Sequence, residues 1–464
     1  MSAAKKGQGG ADHLRDEAAQ TARRAADEVY AGILERAPEH DIDPTLDRVA
    51  AVCELLGDPQ KAYRVVHLTG TNGKTSTARM VERLIREHGL RTGRFTSPHL
   101  TRVTERIAID GEPISDERFV EVWQDVAPYV HLVDVKEQEA GRPRLSFFEV
   151  FTVMAFAAFA DAPVDVAVVE VGMGGRWDAT NVADGEVAVI TPVAYDHERY
   201  LGHTLVEIAG EKSGIVKDGA TLILAQQQED AEGVILHAAA ERGARVVREG
   251  VDIDVVERQV AVGGQLLTLR GTGGTYTEIF LPLHGEHQAH NALAALAAVE
   301  ALMAGGGALE AGIVEAAFAD AESPGRLELV RSSPTVLVDA AHNPAGAEAL
   351  VVAVEEAFAF QRVVGVVGVM ADKDPEGILA VLEPSLAEVV ITRASNPRAM
   401  EIEDLAEIAV DVFGEDRVHV RERLDDAITL AADLAEAEVE RGAAVLVTGS
   451  VLLVAEARVY LGRA

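Results

Sequence analysis

The sequence predicts an α/β fold in two domains, and three observations support this prediction. The 464 residues are more than one hydrophobic core usually holds. From residue 63 onward, short β-rich runs alternate with amphipathic helices, as a parallel sheet requires. The alternation starts again near Ser323-Pro324-Gly325, which predicts a second, smaller doubly wound unit. We expect a flexible tail and N-terminal helix over residues 1–40, a central domain over 41–322 and a C-terminal domain over 326–464.

The individual elements follow from hydrophobic spacing. Ser76–His88 places its apolar residues on one face and stops before Gly89, which indicates a helix. The segment Val251–Leu283 alternates valine, threonine and glycine, which indicates antiparallel hairpins at one edge of the sheet. The other predicted helices are Thr21–Ala37 and Leu46–Leu56. The predicted strands are Tyr63–Thr69, Val164–Val169, Val187–Thr191, Ala220–Leu224, Thr335–Val338, Arg362–Val369, Ala387–Thr392 and Ala443–Thr448.

Charge and composition exclude several classes of function. The 42 basic and 76 acidic side chains give a formal net charge of −34, which repels nucleic acids and anionic lipids at long range. The sequence has no run of 18 or more apolar residues, and its N-terminus lacks the apolar segment of a signal peptide. The single cysteine, Cys53, lies on an apolar helix face. We expect a cytoplasmic protein that binds neither nucleic acid nor membrane, with Cys53 in its core.

A phosphate-binding loop is predicted at Gly70-Thr71-Asn72-Gly73-Lys74-Thr75-Ser76, between a strand and a helix. The glycines allow backbone N–H groups to turn toward an anion, and the helix N-terminus adds positive potential. Lys74 can reach the β- and γ-phosphates of ATP, and the hydroxyl of Thr75 or Ser76 can bind Mg²⁺. Two residues separate the glycines, whereas the standard Walker pattern has four, so the motif is irregular. Its position between strand and helix still favours a nucleotide site.

Several polar residues follow predicted strands at the same edge of the sheet. Glu170 ends one strand and Asp196-His197 follows another, so both can face a ligand crevice and Mg²⁺. A strand-end acid that caps a neighbouring helix is the alternative explanation of Glu170. Arg176 and Asp178 can contact a substrate, or they can pair with each other and stabilise their turn. Lys212, taken alone, is an ordinary surface lysine.

A series of motifs, in a fixed order along the chain, extends over roughly residues 41 to 460. Those of the central domain are HLTGTNGKTS (67–76), FTSPHL (95–100), ERIAIDG (105–111), SFFEVFT (146–152), EVGMGGRWDATN (170–181), YDHERYLGHTLVEIAGEKSGI (195–215) and GEHQAHNALAA (285–295). Those of the C-terminal domain are SPGRLE (323–328), VDAAHNPAG (338–346), VGVMADKD (367–374) and VTGSVLLVAEAR (447–458). Together they resemble the bacterial folylpolyglutamate synthases, often also dihydrofolate synthases, of the Mur ligase superfamily. The SPHL, DKD and VTGS segments favour the folate branch over the cell-wall branch.

This resemblance implies a fold made of an N-terminal P-loop ATPase domain of the Mur ligase type and a smaller C-terminal Rossmann-like α/β domain. It implies two Mg²⁺ ions, one bound by Ser97 and Glu170 and the other by Glu170, His197 and a carbamylated Lys212. The implied ATP contacts are Gly70–Ser76, Asn291, Arg326 and Asp339. The implied acceptor contacts are residues 41–46, Ser146, Phe148, Arg176, Asp178 and Ala179. His342 is expected near the incoming glutamate.

Two positions depart from the family pattern. Thr75 stands where many folate-branch members have glycine, which leaves open whether Thr75 or Ser76 binds the metal. The segment AYDH (194–197) stands where the family often has GLDH. Neither departure removes an implied ligand.

The implied activity is ATP-dependent ligation of L-glutamate to a folate carboxylate, and to dihydropteroate, through an acyl phosphate. The implied catalytic residues are Lys74, Glu170, His197, Lys212, Asp339 and His342. One alternative is a Mur-type ligase with a cell-wall acceptor, but such enzymes usually carry an additional N-terminal domain, for which the segment before residue 41 is short. A second alternative is a regulator that hydrolyses ATP without ligation, against which the set of Glu, His and Lys argues. We expect a monomer.

Overall fold

A computed structural model describes residues 4–38, 43–437 and 442–463, and only the backbone of residues 4–16. The predicted boundary between residues 40 and 41 lies outside the described residues. Within this part of the chain, no helix is both long and apolar enough to cross a membrane.

The larger domain is built on an eight-stranded sheet in the order β4-β3-β2-β5-β1-β6-β7-β8. Its strands are β1 (Arg64–Thr69), β2 (Thr92–Phe95), β3 (Ile107–Ile109), β4 (Glu112–Pro113), β5 (Val166–Glu170), β6 (Val187–Ile190), β7 (Thr221–Leu224) and β8 (Arg245–Arg248). Six neighbouring strands of this sheet pair in parallel, namely β2, β5, β1, β6, β7 and β8. Strands β3 and β4 add an antiparallel edge. The central strand β1 therefore has its carboxyl end between those of β5 and β6.

Ten helices follow one another in this domain, counted over its described residues. They are α1 (Ala4–Leu34), α2 (Asp47–Leu55), α3 (Lys74–Glu87), α4 (Asp116–Glu139), α5 (Phe147–Asp161), α6 (Glu198–Leu201), α7 (Leu205–Lys212), α8 (Glu229–Glu241), α9 (Glu286–Ala304) and α10 (Ala311–Ala319). On β1, Val66 and Leu68 pack into a core with α3 and α9, whereas Val65 packs into a second core with α2, α4 and α5. Cys53 is fully buried in that second core, as predicted.

Helix α1 starts earlier than the sequence predicted. It begins at Ala4, whereas the prediction placed residues before Thr21 in a flexible tail. Residues of high intrinsic helix propensity, such as alanine and lysine, outnumber the three glycines between Ala4 and Gln20, so the helix extends beyond its apolar part. Ala26 and Ile33, near its end, are fully buried in the core that contains α4 and α5.

The segment 251–283 forms a separate antiparallel sheet of three strands, β9 (Asp254–Ala261), β10 (Gly264–Arg270) and β11 (Thr275–Leu281). The prediction of antiparallel pairing is confirmed. Its predicted place at an edge of the main sheet is wrong. Leu267, Leu269 and Ile279 are buried in the core that contains α3 and α9, so this small sheet covers that helical layer and does not extend the parallel sheet.

The C-terminal domain has a six-stranded sheet in the order β12-β13-β17-β14-β15-β16, of which only β12 is antiparallel. Its strands are β12 (Glu328–Ser332), β13 (Thr335–Val338), β14 (Arg362–Val367), β15 (Glu388–Ile391), β16 (Val418–Val420) and β17 (Ala443–Thr448). Its helices are α11 (Pro344–Ala357), α12 (Pro375–Leu382), α13 (Ile402–Phe413), α14 (Leu424–Glu436) and α15 (Val451–Tyr460). Separate apolar cores lie on the two faces of the sheet, which makes it doubly wound.

Candidate active site

A cavity of about 920 Å³ lies at the carboxyl ends of β1, β5 and β6 and is walled by both domains. Ligands of open α/β sheets bind at this end of the strands. The cavity borders the loop after β1, the end of β5 at Glu170 and the segment after β13 at Asp339. Residues that the sequence placed at separate strand ends therefore share one cavity.

The loop Gly70–Ser76 joins β1 to α3, and its two glycines fit closely against their surroundings. A Cβ at Gly70 would lie 1.8 Å from the Thr191 hydroxyl oxygen, and one at Gly73 would lie 2.4 Å from Oδ1 of Asn291. Both glycines have positive φ angles, of 147° and 88°. Only glycine combines this backbone with this proximity, which keeps the loop narrow and its N–H groups near the cavity.

Lys74 begins α3 and folds back over the loop. Its Nζ donates to the carbonyl oxygens of Gly70, at 3.1 Å, and Thr71, at 3.0 Å. Burial lowers the pKa of Lys74, although the carboxylates of Glu170 and Asp196 oppose this shift. An anion in the cavity would favour the charged amine, as the predicted role in phosphate binding requires.

The two candidate hydroxyls of the loop have different partners. Thr75 Oγ1 donates to the Glu170 carboxylate, 2.9 Å from each oxygen. Ser76 is buried, and its hydroxyl lies 2.8 Å from that of Ser323. The backbone N–H of Ser97 also donates to Glu170, whose side chain is buried. Burial raises the pKa of Glu170 to about 6. Of the two hydroxyls, Thr75 is the one next to Glu170.

Lys212 ends α7 inside the protein and is not a surface lysine. It is 5% exposed, and its Nζ donates to the Gly70 carbonyl oxygen at 2.8 Å. Lys212 borders a small cavity of about 40 Å³, which is also lined by Lys74 and His197. Burial, assisted by the charge of Lys74, lowers the pKa of Lys212 to about 7. A fraction of these amines is therefore uncharged near neutral pH.

Asp196 and His197 follow β6 and face different neighbours. Asp196 pairs with Lys373 of the C-terminal domain, with 2.5 Å between carboxylate and amine and 7% exposure of each side chain. His342 Nε2 lies 3.6 Å from the same carboxylate. His197 borders both cavities in a left-handed conformation, with φ of 53°, and burial lowers its pKa to about 3. A neutral imidazole is the form that binds metals.

A second contact joins the two domains at the loop itself. Asn72 and Asn343 bond each other reciprocally: each Nδ2 donates to the Oδ1 of the other, at 3.0 and 3.1 Å. Asn343 Oδ1 also caps α11 by accepting from the Gly346 N–H, and its Nδ2 lies 3.3 Å from Asp196. Asn343 and Lys373 were not assigned a role from sequence, although Lys373 lies in the DKD motif; Asp196 was expected to face the ligand crevice, and its pairing with Lys373 was not predicted.

The structure places Asn291, Arg326, Asp339 and His342 on the cavity wall, as the resemblance implied. The Asp339 carboxylate accepts from the N–H groups of Leu327 and Ala341, both at 2.8 Å, and burial raises its pKa. These bonds hold the segment after β13 against the loop that contains Arg326. The C-terminal domain therefore contributes the charged side chains of Arg326 and Asp339 to the cavity wall, together with the backbone of the segment after β13.

The other end of the cavity is aromatic and is bordered by α1, α2 and α5. Ser146 caps α5 by accepting from Glu149 N, and Phe148 packs against Gly172 of the turn after β5. Asp178 and Ala179 also border this end. Of the implied acceptor segment 41–46, residues 41 and 42 lie outside the described residues, whereas Asp43 and Thr45 border the cavity.

An ion-pair network at this end was not predicted from sequence. Arg48 is 3% exposed, and its Nε donates to the Glu149 carboxylate at 3.0 and 3.2 Å. A second nitrogen of the same guanidinium pairs with Asp43 at 2.6 Å. Arg106 lies over the rings of Phe147 and Phe151. Arg48 and Glu149 are 101 residues apart along the chain, so spacing could not connect them; a buried charge at a helical core position was the available signal.

Arg176 is placed differently from both interpretations of the sequence. Its side chain is exposed and donates to the Gly210 carbonyl oxygen at 3.2 Å, and it borders neither of the two cavities. Asp178 instead accepts from Met173 N and Thr180 N. The Arg176 backbone is pressed against Gly214 and Glu211, which turns its side chain outward. The neighbouring Trp177 borders the large cavity.

The implied Mg²⁺ ligands border adjoining cavities: Ser97, Glu170 and His197 the large one, and His197 and Lys212 the small one. Over residues 4–38, 43–437 and 442–463, no three His, Cys, Asp or Glu side chains form a metal-binding group. A dication would stabilise the buried Glu170 carboxylate in its charged form. Mg²⁺ usually keeps waters and substrate phosphates as ligands, so a site with one carboxylate and few protein groups fits it.

Two family models match the chain: residues 120–299 match the Mur ligase middle domain and residues 325–451 the Mur ligase, glutamate ligase domain. The dihydrofolate synthase/folylpolyglutamate synthase of Mycobacterium tuberculosis is 50% identical over 449 residues, covering 92% of this chain and 92% of that protein. The Escherichia coli protein of the same name is 33% identical over 418 residues, covering 90% of this chain and 91% of that protein.

Solved structures agree with these relatives. Mycobacterium tuberculosis folylpolyglutamate synthase complexed with ADP has a TM-score of 0.92 and 49% identity, over 96% of this chain and 99% of that chain. Escherichia coli FolC in complex with DHPP and ADP has a TM-score of 0.78 and 32% identity, over 91% of this chain and 94% of that chain. The predicted resemblance and fold class are confirmed. The chain belongs to the dihydrofolate synthase/folylpolyglutamate synthase family of Mur ligases.

Proposed function

We propose that this enzyme uses ATP to join L-glutamate to a folate carboxylate, and also to dihydropteroate, through an acyl phosphate, with release of ADP and phosphate. One observation carries the proposal: a single cavity connects the aromatic end, the glycine loop and the C-terminal domain. An acceptor, the ATP phosphates and an amino acid can therefore meet in one space. The relatives' names and the ADP and DHPP complexes support the same substrates.

The chemistry explains the need for ATP. A carboxylate and an ammonium ion are stable in water, so amide formation between them requires an activated carboxyl group. Phosphoryl transfer to the acceptor carboxylate supplies it, and stabilisation of that transfer is mainly electrostatic. We assign the phosphates to the N–H groups of Gly70–Ser76 and to Lys74. Asn291, Arg326 and Asp339 contact the remainder of ATP across the cavity.

We assign two Mg²⁺ ions to Ser97, Thr75, Glu170, His197 and a carbamylated Lys212. When bound, Mg²⁺ supplies positive charge against the phosphate oxygens. The position of Lys212 supports carbamylation, because an uncharged amine beside a small cavity can form a nitrogen–carbon bond with CO₂ and lose a proton. The product is an oxygen ligand in place of a cation. Intact-protein mass spectrometry in bicarbonate buffer should show one added carboxyl group, which Lys212→Met should lack.

The C-terminal domain holds the amino acid in this proposal. His342 lies at the junction of the domains, and Asp339 fixes the adjoining backbone. The amine of L-glutamate attacks the acyl carbon, and phosphate leaves. The contacts of Asp196 with Lys373 and of Asn72 with Asn343 close the two domains around the cavity and limit hydrolysis of the acyl phosphate.

The acceptor occupies the aromatic end, with Ser146, Phe148, Asp178 and Ala179 as its contacts. We also propose that the enzyme works as a cytoplasmic monomer, as the resemblance to the family implies. Its charge of −34 argues against a nucleic-acid partner. Analytical ultracentrifugation checks the monomer, and a mass twice that of the chain would contradict it.

The identity of the acceptor that becomes labelled distinguishes this function from its alternatives. ATP and ¹⁴C-glutamate are incubated with tetrahydrofolate, with dihydropteroate or with a UDP-muramyl peptide, and label is counted in the acceptor. We expect label in both pteridine acceptors. Label in the muramyl peptide alone would identify a cell-wall ligase. ATP hydrolysis without label in any acceptor would identify a nucleotide hydrolase, and either outcome would reject the proposal.

A further inference from the structure

Behind the aromatic end, three buried side chains form a continuous hydrogen-bonded series that leads away from the cavity. Asp178 borders the cavity and is 3% exposed. Its Oδ1 accepts from the hydroxyl and the backbone N–H of Thr180. Nε2 of His67, on the central strand β1, lies 2.9 Å from the same Thr180 hydroxyl oxygen. His67 and Thr180 are both fully buried, so neither can contact a substrate directly.

The direction of each hydrogen bond follows from the groups present. An ionised carboxylate can only accept, so the Thr180 hydroxyl donates its one proton to Asp178. The hydroxyl oxygen then accepts from His67, which requires the proton on Nε2 and leaves Nδ1 bare. Among the residues that the structure describes, none forms a hydrogen bond with the buried Nδ1 of His67, in accord with this tautomer.

A buried histidine at this position lowers the stability of the fold relative to an apolar side chain. β1 lies in the middle of the sheet, and three of its other buried side chains, Val65, Val66 and Leu68, are apolar. A buried polar atom without a partner is destabilising, as Nδ1 is here. Gly185 is packed against this side chain, since a Cβ there would lie 3.0 Å from Cβ of His67. The imidazole is thus held in place, and its Nε2 forms the hydrogen bond with Thr180.

We propose that His67 and Thr180 are positioning residues that orient the Asp178 carboxylate toward the acceptor substrate. Thr180 fixes one carboxylate oxygen, and the N–H of Met173 fixes the other, at 2.9 Å. Asp178 thereby presents a fixed hydrogen-bond acceptor to N–H donors of a heterocyclic ligand. This inference rests on the proposed function, because it requires Asp178 to contact the acceptor.

Thr180→Val tests the proposal because it keeps the shape of the side chain and removes the hydroxyl. Thr180→Ser is the matched control, because it keeps the hydroxyl and removes the methyl group. We expect Thr180→Val to raise KM for tetrahydrofolate about tenfold, the loss of one well-placed hydrogen bond, with KM for ATP and glutamate unchanged. Thr180→Ser should stay close to wild type.

His67 is tested in the same assay with two substitutions. His67→Leu should raise KM for tetrahydrofolate as Thr180→Val does, whereas His67→Gln, whose amide can donate to Thr180, should restore most of the loss. A purely structural role predicts a lower Tm with all three KM values unchanged or changed together. That result for Thr180→Val would overturn the proposal even if His67→Leu does not fold.

Asp178→Asn separates the possible failures. If wild-type enzyme labels no pteridine acceptor, the proposed function fails. If the wild type is active but Asp178→Asn keeps a wild-type KM for tetrahydrofolate, Asp178 does not contact the acceptor and the positioning role falls with it. If Asp178→Asn raises that KM while Thr180→Val and His67→Leu do not, the positioning role alone is rejected.

Discussion

The two ends of the cavity are built by different means. The phosphate end uses one continuous loop, Gly70–Ser76, whose backbone lies between a central strand and a helix. The aromatic end gathers side chains from α1, α2, α5 and the turn after β5, held by the Arg48–Glu149 pair. A binding site made of backbone groups depends on glycines in the loop and on the order strand, loop, helix along the chain. A side-chain site depends on tertiary packing, so its residues can change without altering the loop.

This difference makes the two ends separable by mutation. Changes at the phosphate end should act on the chemical step, which every acceptor shares. Changes at the aromatic end should act on acceptor binding and leave the ATP kinetics intact. The following predictions run from the largest expected effect to the smallest.

Glu170→Ala should reduce kcat about 10³-fold or more, because it removes the central carboxylate of the phosphate end. The fold should persist, since burying Glu170 is unfavourable for its charged form. Glutamate-dependent ATP hydrolysis and thermal unfolding measure the two effects. Glu257→Ala, an exposed change on β9, is the control. Wild-type hydrolysis in Glu170→Ala would contradict the metal assignment.

Arg48→Met should destabilise the protein by about 3 kcal/mol, because it leaves the buried Glu149 carboxylate unpaired. It should also raise KM for tetrahydrofolate while KM for ATP stays unchanged. Urea unfolding and steady-state kinetics measure these effects. Arg142→Met breaks the more exposed pair with Glu137, so its cost should be much smaller than that of Arg48→Met. Equal rises in both KM values for Arg48→Met would show that the two ends are not separable.

Lys373→Met should uncouple hydrolysis from ligation. It removes the partner of Asp196 between the domains, so water gains access to the acyl phosphate. The ratio of phosphate released to labelled amide formed should rise above that of the wild type. Lys61→Met, which breaks an exposed pair with Asp58, should leave the ratio unchanged. An unchanged ratio in Lys373→Met would refute this role of the ion pair.

Lys212→Met should alter the pH dependence of stability. The folded pKa of about 7 lies below the unfolded value of about 10.4, so between these pH values the unfolded chain binds more protons at Lys212. Stability therefore rises with pH in the wild type through this group. In bicarbonate-free buffer, the Tm of Lys212→Met relative to wild type should fall by a few degrees from pH 7 to pH 10. Lys136→Met, an exposed control, should show a constant difference.

Much of the fold was predictable because it follows from periodicity. Strand β13 and strand β17 have the predicted bounds, and β1 and α3 differ from the prediction by one or two residues. The small sheet β9–β11 was misplaced because alternation indicates antiparallel pairing but does not say which layer the sheet covers. The length of helix α1 was underestimated because the prediction relied on an apolar face. The first residues of the helix do not require such a face to be helical.

The position of Glu170 and His197 at the cavity was predictable, because both follow strand ends at the same edge of the sheet. The resemblance added Ser97 and Asn291, which no spacing would have singled out. Arg48 and Glu149 lie far apart in sequence and meet only after α2 packs on α5, so neither was recognised. Arg176 was misassigned because a turn of adjacent polar residues does not reveal which side chain faces inward.

The reciprocal amide contact between Asn72 and Asn343 has a consequence for turnover. Each amide donates once and accepts once within the pair, so two water molecules can replace both bonds when the domains part. Opening at this point therefore costs little free energy, while the geometry of two paired amides still selects a single closed arrangement. The enzyme must admit and discharge three ligands in every cycle. A reversible contact of this kind on the nucleotide loop would allow product release and the next substrate binding to use the same opening of the domains.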